Sequence, residues 1–266
     1  MVESAVARPT GRAMSYLLAV YAVAAVEWHR IRREPTLLLV RAAQPLLWLL
    51  VFGAAVSRVR GLGPPGLSYQ AYLVPGVIAQ AVLFVALSSG LSVIWERDLG
   101  VTQRMVTAPA ATSAVVLGKA VGAGLRALLL VLLLLAAVAV AGVPLPWTAS
   151  GLAGASGVTV LGAALFSGLA MLVASLARSR ERFMGLGQLI VLPAFFASNA
   201  LYPLSLMPDW LQYAARLNPL TYHVDLLRWQ LLGVGQIGPV VSLVLLAGGT
   251  AVALSVAAMA YPRRVL

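Results

Sequence analysis

Long, continuous apolar runs are the feature that most constrains what this chain can fold into. Several approach the roughly 20 residues with which a helix crosses the apolar core of a bilayer. Lipid offers backbone N–H and C=O groups no partners, so a spanning segment must be a helix or part of a closed barrel. The runs do not alternate, which indicates helices. With 61% of its 266 residues hydrophobic and 10% charged, the chain is predicted to be an all-α integral membrane protein.

Six apolar runs are separated by segments rich in Gly, Pro or charge. The predicted transmembrane helices cover residues 36–56, 71–94, 115–141, 151–176, 183–201 and 237–260.

The segment 12–34 begins apolar and becomes basic. We interpret it as an amphipathic helix at the membrane interface, with Trp28 at headgroup depth. Its arginines would face lipid phosphates: Arg30, Arg32 and Arg33. A seventh span over this segment is the alternative.

The distribution of basic residues predicts the orientation. Six spans place both termini on one side, and thirteen basic residues are assigned to that side, with Lys119 at the start of its span among them. The other side carries four: Arg58, Arg60, Arg216 and Arg228. Because basic residues are enriched in cytoplasmic loops, the N- and C-termini are predicted to be cytoplasmic. This bias also accounts for the net charge of +11, and we expect no nucleic acid as a partner.

Motifs for catalysis and metal binding are absent from the sequence. The chain has no cysteine and two histidines, which excludes cysteine or His-rich metal sites. The nearest match to a phosphate-binding loop is "SAVVLGKA", in which Ser113 and Ala120 replace required residues. His223 and Asp225 are two residues apart in a helix-like run, so they face different directions. We therefore predict no catalytic residues, no bound cofactor and no metal.

Few ionisable residues fall within the predicted spans. Arg41, Lys119 and Arg126 lie near the ends predicted to be cytoplasmic, where long side chains can snorkel. Arg126 is the deepest and is a candidate residue of a transport pathway. No acidic residue falls inside a predicted span. A proton- or sodium-coupled carrier usually needs one, so this absence argues against a secondary carrier.

Two polar segments interrupt the apolar pattern. The first, 96–113, is too polar to span a membrane and too long for a turn, and it is either a solvated helical loop or a short helix that docks a soluble partner. The second, 202–236, contains Asn218-Pro219, which predicts an N-cap followed by Pro at the first helical position. It therefore reads as two short helices broken by Pro, in which Asp225 and Arg228 are placed to pair.

Both segments resemble the permease subunits of bacterial ABC-2 type exporters. The stretch "ERDLGVTQRMVTAPA" is similar to the motif E-R-E-x-G-T-x-x-x-L/M-x-x-x-P of their first cytoplasmic loop, with Val101 where Thr is common. The stretch "NPLTYHVDLLRW" is similar to their N-P-L-T-Y pattern between helices 5 and 6. The subfamily that it most resembles is the daunorubicin-resistance type, whose members export drugs or lipids.

The resemblance implies the fold of a type V exporter half and assigns roles to both polar segments. A coupling helix over 96–113 would seat in a separate ATP-binding subunit through Glu96, Arg97, Asp98, Gly100, Gln103, Arg104 and Pro109. The interfacial helix would lie near the same subunit. A re-entrant outer segment over 202–236 would carry the gate residues Asn218, Pro219, Tyr222, Asp225 and Arg228.

The resemblance also implies the partners. The permease would pair with a second copy or a sister permease and with two ATPases that bind ATP and Mg, in the bacterial plasma membrane. It would move an amphipathic drug, lipid or glycolipid out of the cell. A self-contained secondary carrier and a non-transporting membrane scaffold are the alternatives. The sequence has no evident inverted repeat, which weakens the carrier.

Overall fold

A computed structural model describes residues 12–33, 36–56, 66–99, 112–177 and 179–264. Within these ranges the chain is helical and contains no strand. The helices are α1 (Arg12–Arg33), α2 (Thr36–Leu47), α3 (Tyr69–Asp98), α4 (Thr112–Val140), α5 (Ala149–Leu176), α6 (Arg180–Phe196), α7 (Asp209–Leu217), α8 (Pro219–Leu232) and α9 (Pro239–Arg264). Helix α2 continues through a π-helical turn (Trp48–Phe52) into a last helical turn (Gly53–Val56).

Five helical segments of the described chain are long and apolar enough to cross a bilayer. They are Leu38–Val56, Tyr69–Asp98, Thr112–Val140, Ala149–Leu176 and Pro239–Ala260. The prediction of an all-helical, multi-pass membrane protein is thereby confirmed. Helices α1 and α6 are not among the five.

Helix α6 is shorter than the span predicted over 183–201. It has 17 residues and ends at Phe196. The hydroxyl of Ser198 donates to the carbonyl oxygen of Phe195 and accepts from the amide of Ala200. These bonds replace the next helical turn, because a serine side chain competes locally for backbone groups.

Helix α5 occupies the centre of the bundle, and α3, α4, α8 and α9 all pack against it. Its small residues allow this close approach. Gly151 lies against the backbone of Gln230 in α8, and Gly162 leaves room for the ring of His223. A side chain at either position would overlap α8, so the glycines of α5 set how deeply α8 enters the bundle.

Helix α1 packs along α4 instead of standing apart from the bundle. Two glycines of α4 form the contact. A Cβ atom on Gly118 would come within 2.6 Å of the Cβ of Val23, and one on Gly122 within 2.7 Å of the Cβ of Glu27. This small-residue surface brings the backbones close, and it places Glu27 against the middle of α4.

The opposite end of α3 holds the chain that follows α6. The hydroxyl of Tyr69 donates to the carbonyl oxygen of Leu201 at 2.9 Å. Two turns further along, Gly76 lies against the backbone of Ala200, and a Cβ there would be 2.8 Å from the carbonyl carbon. The segment between α6 and α7 is therefore fixed to α3 by a hydrogen bond and a backbone contact.

Adding a methyl group at Gly76 tests this contact. Gly76→Ala is expected to destabilise the protein by about 1–3 kcal/mol, because the overlapping neighbour is backbone and has no rotamer with which to move aside. Gly157→Ala is the matched control, since a Cβ at Gly157 meets open space and Ala is favoured over Gly in a helix by about 1 kcal/mol. Thermal unfolding of both variants in one detergent measures the difference, and equal melting temperatures would contradict the contact.

Candidate functional site

A charged network lies between α1, α3 and α4 near the end of the bundle where α3 ends. We define it as Glu27, Glu96, Lys119 and Arg126. The guanidinium of Arg126 donates to Glu27 Oε2 at 2.6 Å and the ammonium of Lys119 donates to Glu96 Oε1 at 2.6 Å. Each cation has a second acceptor on α3. Arg126 donates to Ser89 Oγ at 3.3 Å, and Lys119 donates to Ser92 Oγ at 3.0 Å.

Helical spacing explains why these groups meet. Lys119 and Arg126 are seven residues apart, which is two turns of α4, so they share one face. Ser89, Ser92 and Glu96 follow the same rule on α3, with spacings of three and four residues. Two polar stripes on neighbouring apolar helices are thus brought into contact.

Both cations of α4 are buried and paired, so the prediction that they snorkel is wrong. The side chain of Lys119 is 2% exposed and that of Arg126 is 8% exposed. Helix α1 covers this face of α4, and a carboxylate partner replaces the contact with water or headgroups. Glu27, the partner of Arg126, lies outside the predicted spans and was missed by a search for charges within them.

The residues assigned to the coupling helix begin inside α3. Glu96, Arg97 and Asp98 form its last turn. Besides the bond from Lys119 to Glu96, Arg97 Nη1 donates to the carbonyl oxygen of Ala177 at 3.0 Å, and Arg180 Nε donates to Asp98 Oδ2 at 3.1 Å. These contacts tie the end of α3 to α4, to the end of α5 and to the start of α6. Gly100, Gln103, Arg104 and Pro109 lie outside the described residues.

The residues assigned to the interfacial helix cluster at the end of α1. The guanidinium of Arg32 lies 5.3 Å from the centre of the Trp28 ring, which is a cation–π distance. Arg30 Nη1 is 3.8 Å from Glu27 Oε2, so Glu27 is shared between Arg30 and Arg126. Arg32 and Arg33 are exposed. This end of α1 therefore combines an exposed basic surface with one buried carboxylate.

Asn218 joins α6 to α8 at the opposite end of the bundle. Its Oδ1 accepts from the amide of Leu220 at 3.0 Å, which makes it the N-cap of α8 with Pro219 in the first turn, as the sequence predicted. Its Nδ2 donates to the carbonyl oxygens of Ala194 and Ala197 at 2.6 and 3.1 Å. One side chain thus satisfies backbone groups at the end of α6 and at the start of α8. Nearby, the hydroxyl of Tyr222 donates to the carbonyl oxygen of Arg216.

Asp225 and Arg228 do not form the pair that their spacing suggested. Asp225 accepts from the amide of Gln236 at 2.7 Å, from those of Ile237 and Gly238 at 3.3 Å, and from Ser242 Oγ at 2.8 Å. These groups lie at the start of α9, where unpaired amides attract a carboxylate.

Arg228 serves another element. It donates to the carbonyl oxygen of Asn199 at 2.9 Å, and its guanidinium lies 3.9 Å from the centre of the Tyr72 ring. Arg228 therefore fixes the segment after α6 to α3, while Asp225 fixes the start of α9.

His223 faces away from Asp225, as the two-residue spacing predicted. Its ring packs on α5 beside Gly162, with a centroid distance of 5.6 Å to Phe166. Within the described chain, groups of three or more metal-ligating side chains are absent. What the arrangement offers is ion pairs and capped helix ends that connect different helices of the bundle.

Substitution of one member of the buried pair of Glu27 and Arg126 should reduce stability more than substitution of both. Glu27→Met alone is expected to destabilise the protein by about 3–5 kcal/mol, because it leaves Arg126 buried without a carboxylate. Arg126→Met should cost less, because Glu27 keeps its contact with Arg30 at 3.8 Å. The double variant should recover most of this loss, since no uncompensated charge remains. Thermal unfolding of the four proteins in detergent gives the double-mutant cycle. Additive losses would contradict a direct pair.

Comparison with known proteins identifies the family to which this chain belongs. A family model described as "ABC-2 type transporter" matches residues 19–232. The chain is 31% identical over 210 residues to the putative transport permease ycf38 of Porphyra purpurea, which covers 75% of this chain and 69% of that protein. It is 30% identical over 205 residues to nodulation protein J of Rhizobium leguminosarum bv. trifolii, covering 74% of each.

A third relative is matched over more of its length. The inner membrane transport permease YadH of Escherichia coli strain K12 is 27% identical over 231 residues, which cover 84% of this chain and 86% of that protein. The family match runs from within α1 to the end of α8 and so includes the charged network and the Asn218 junction. The chain therefore belongs to the ABC-2 type transporter family and is a multi-pass membrane permease subunit of an ABC transporter.

Proposed function

We propose that this chain is the membrane half of an ATP-driven exporter that moves an amphipathic drug, lipid or glycolipid out of the cell. Family membership implies an ABC ATPase as partner, and that subunit would bind ATP and Mg. The observation that carries the proposal is the set of contacts at the end of α3. Glu96, Arg97 and Asp98 each bond to a different part of the bundle.

These contacts supply a route for the ATP-driven movement. The segment 96–113 would seat in the ATPase as a coupling helix. A displacement of that helix would pull on α4 through Glu96 and Lys119 and on α6 through Asp98 and Arg180. Because Lys119 is buried and its ammonium lies 2.6 Å from Glu96 Oε1, the end of α3 and the start of α4 would move as one body.

The exporter proposal also includes an orientation in the membrane and a surface for assembly. The excess of basic residues on the side of the termini supports cytoplasmic N- and C-termini in the plasma membrane of a bacterium. We propose α6 as a sixth, short crossing and α1 as the interfacial helix. The spans of α2 and α9 are only 22% and 28% buried over their most apolar windows. They leave apolar surface for lipid and for a second permease.

The segment from α6 to α9 would form a re-entrant gate at the outer end. Helix α8 lies inside the bundle, against α3, α5 and α9. Asn218 connects it to α6, Asp225 connects it to the start of α9, and Arg228 connects it to the segment after α6. A movement of α6 would therefore be passed to the gate through bonds to α8.

Association with an ATPase is the first test of the exporter. We expect the chain to co-purify with a co-expressed ABC ATPase from the same genome. Arg104→Glu, in the proposed coupling helix, should reduce the bound ATPase at least tenfold, because reversal of one interface charge places like charges opposite each other. Arg216→Glu is the matched control: Arg216 is exposed on α7, which the proposed topology places on the outer side.

The outcomes separate the function classes. A wild-type chain that binds no ABC ATPase would exclude the exporter and favour a secondary carrier or a scaffold. Equal loss in both variants would contradict the proposed topology. Glu96 is not a suitable position for this test, since its substitution also breaks the internal bond to Lys119.

The outer gate is tested at Asn218. Asn218→Asp keeps the N-cap of α8 but removes both donors to α6 and places a carboxylate beside two carbonyl oxygens. Export of a fluorescent phospholipid by proteoliposomes that contain the complex should fall about tenfold, while ATP hydrolysis continues. Gln212→Glu is the matched control, because it makes the same chemical change where the amide bonds only within its own segment, to Met207. Unchanged export in Asn218→Asp would count against the gate.

A further inference from the structure

A cavity of about 650 Å³ lies between α1, α2, α3 and α4, beside the charged network. Arg30, Arg41, Trp95, Glu96 and Arg126 line it together with apolar side chains such as Leu38. Its wall is thus both charged and apolar, which is the lining that an amphipathic ligand requires.

The cavity has an excess of positive charge. Four basic groups lie in or directly behind its wall, and two carboxylates compensate them. Glu27 pairs with Arg126 and lies 3.8 Å from Arg30, while Glu96 pairs with Lys119. The fourth basic group, Arg41, has neither a hydrogen bond nor an ion pair from its side chain to any other described residue.

Arg41 is exposed and lies near one end of its apolar segment. It is the fourth residue of the apolar segment Leu38–Val56, so it lies about one turn inside the predicted span. From this depth a long side chain can reach the interface, and the guanidinium of Arg41 lines the charged cavity there. A guanidinium has a planar fork of N–H donors that fits two oxygens of a phosphate or a carboxylate.

An apolar groove continues from Arg41. The same residue lines a second cavity of about 290 Å³ together with Gln44 and Phe84. A third cavity, of about 520 Å³ between α2, α3 and α6, shares Gln44 and Phe84 with the second and Ser88 and Leu91 with the first. The charged cavity is therefore adjacent to space for an apolar tail.

We propose that this cavity binds the oxyanion headgroup, phosphate or carboxylate, of an anionic amphiphile, with Arg41 as its ligand and the tail in the groove along α2 and α3. The proposal rests on the proposed export function and narrows its cargo to anionic amphiphiles. It also gives Arg30 a role, since Arg30 lines the same cavity and is only loosely engaged by Glu27.

Binding to the purified chain in a neutral detergent tests the proposal. The probe is dodecyl phosphate, and calorimetry at low salt measures its affinity for the chain. Arg41→Gln should weaken binding about tenfold, because one charge-assisted contact to the headgroup is lost. Arg41→Lys should lose less, since it keeps the charge but not the fork of donors. Arg182→Gln is the matched control: it removes an exposed arginine at the start of α6 that does not line the cavity.

Three further probes identify what is recognised. Dodecyltrimethylammonium, a cation with the same tail, should bind at least tenfold more weakly. If inorganic phosphate displaces dodecyl phosphate when both are present at the same concentration, the site binds free phosphate. If only phosphates that carry an alkyl chain displace it, the site binds the headgroup of an amphiphile. Equal affinity of wild type and Arg41→Gln, at unchanged melting temperature, would overturn the proposal, as would equal binding of the cationic probe. Dodecyl sulfate, another oxyanion, should compete.

These measurements use the permease alone, so they are independent of the ATPase. A chain that binds dodecyl phosphate through Arg41 but never binds an ATPase would keep the anion site and exclude the exporter. A chain that binds the ATPase but shows no dependence on Arg41 would keep the exporter and exclude the anionic cargo.

Discussion

The ion pair of Glu27 and Arg126 is the interaction on which the arrangement of this end of the bundle depends. An ionised side chain removed from water without a partner costs several kcal/mol, so Arg126 requires a carboxylate as long as it is buried. The carboxylate comes from α1, 99 residues earlier in the chain. Helix α1 must therefore stay packed on α4, and the glycines at 118 and 122 allow the approach that brings the two charges to 2.6 Å.

The same requirement organises the other end of the molecule in a different way. Helices α6, α8 and α9 begin or end inside the protein, where their terminal N–H and C=O groups need partners. Asn218 supplies them at the junction of α6 and α8, and Asp225 supplies them at the start of α9. Both side chains belong to α8 or its cap. Helix α8 thus holds the ends of its neighbours through polar side chains. This requirement explains why a short polar segment lies between apolar helices.

Local signals allowed most of the fold to be predicted, and long-range contacts account for what was missed. Apolar runs indicated the long helices, and Asn218-Pro219 marked the start of α8, because both depend on neighbouring residues. The partner of Arg126 could not be found within a span, since Glu27 lies in α1. The i, i+3 spacing suggested a bond from Asp225 to Arg228. The amides at 236–238 attract Asp225 more strongly, and only the folded chain brings them near.

If the permease exports amphiphiles as proposed, the charge balance around the first cavity would decide which cargo it accepts. Among the described residues, both carboxylates at the cavity already pair with a cation, and Arg41 leaves the wall positive. Two unit charges 4 Å apart interact by about 4 kcal/mol at the effective dielectric constant near a protein surface. A cationic headgroup beside Arg41 would meet repulsion of that order, while an anionic one would gain a comparable attraction. Under the proposed anion site, selectivity for headgroup charge would depend on Arg41, which has no ion pair among the described residues, more than on the net charge of the chain.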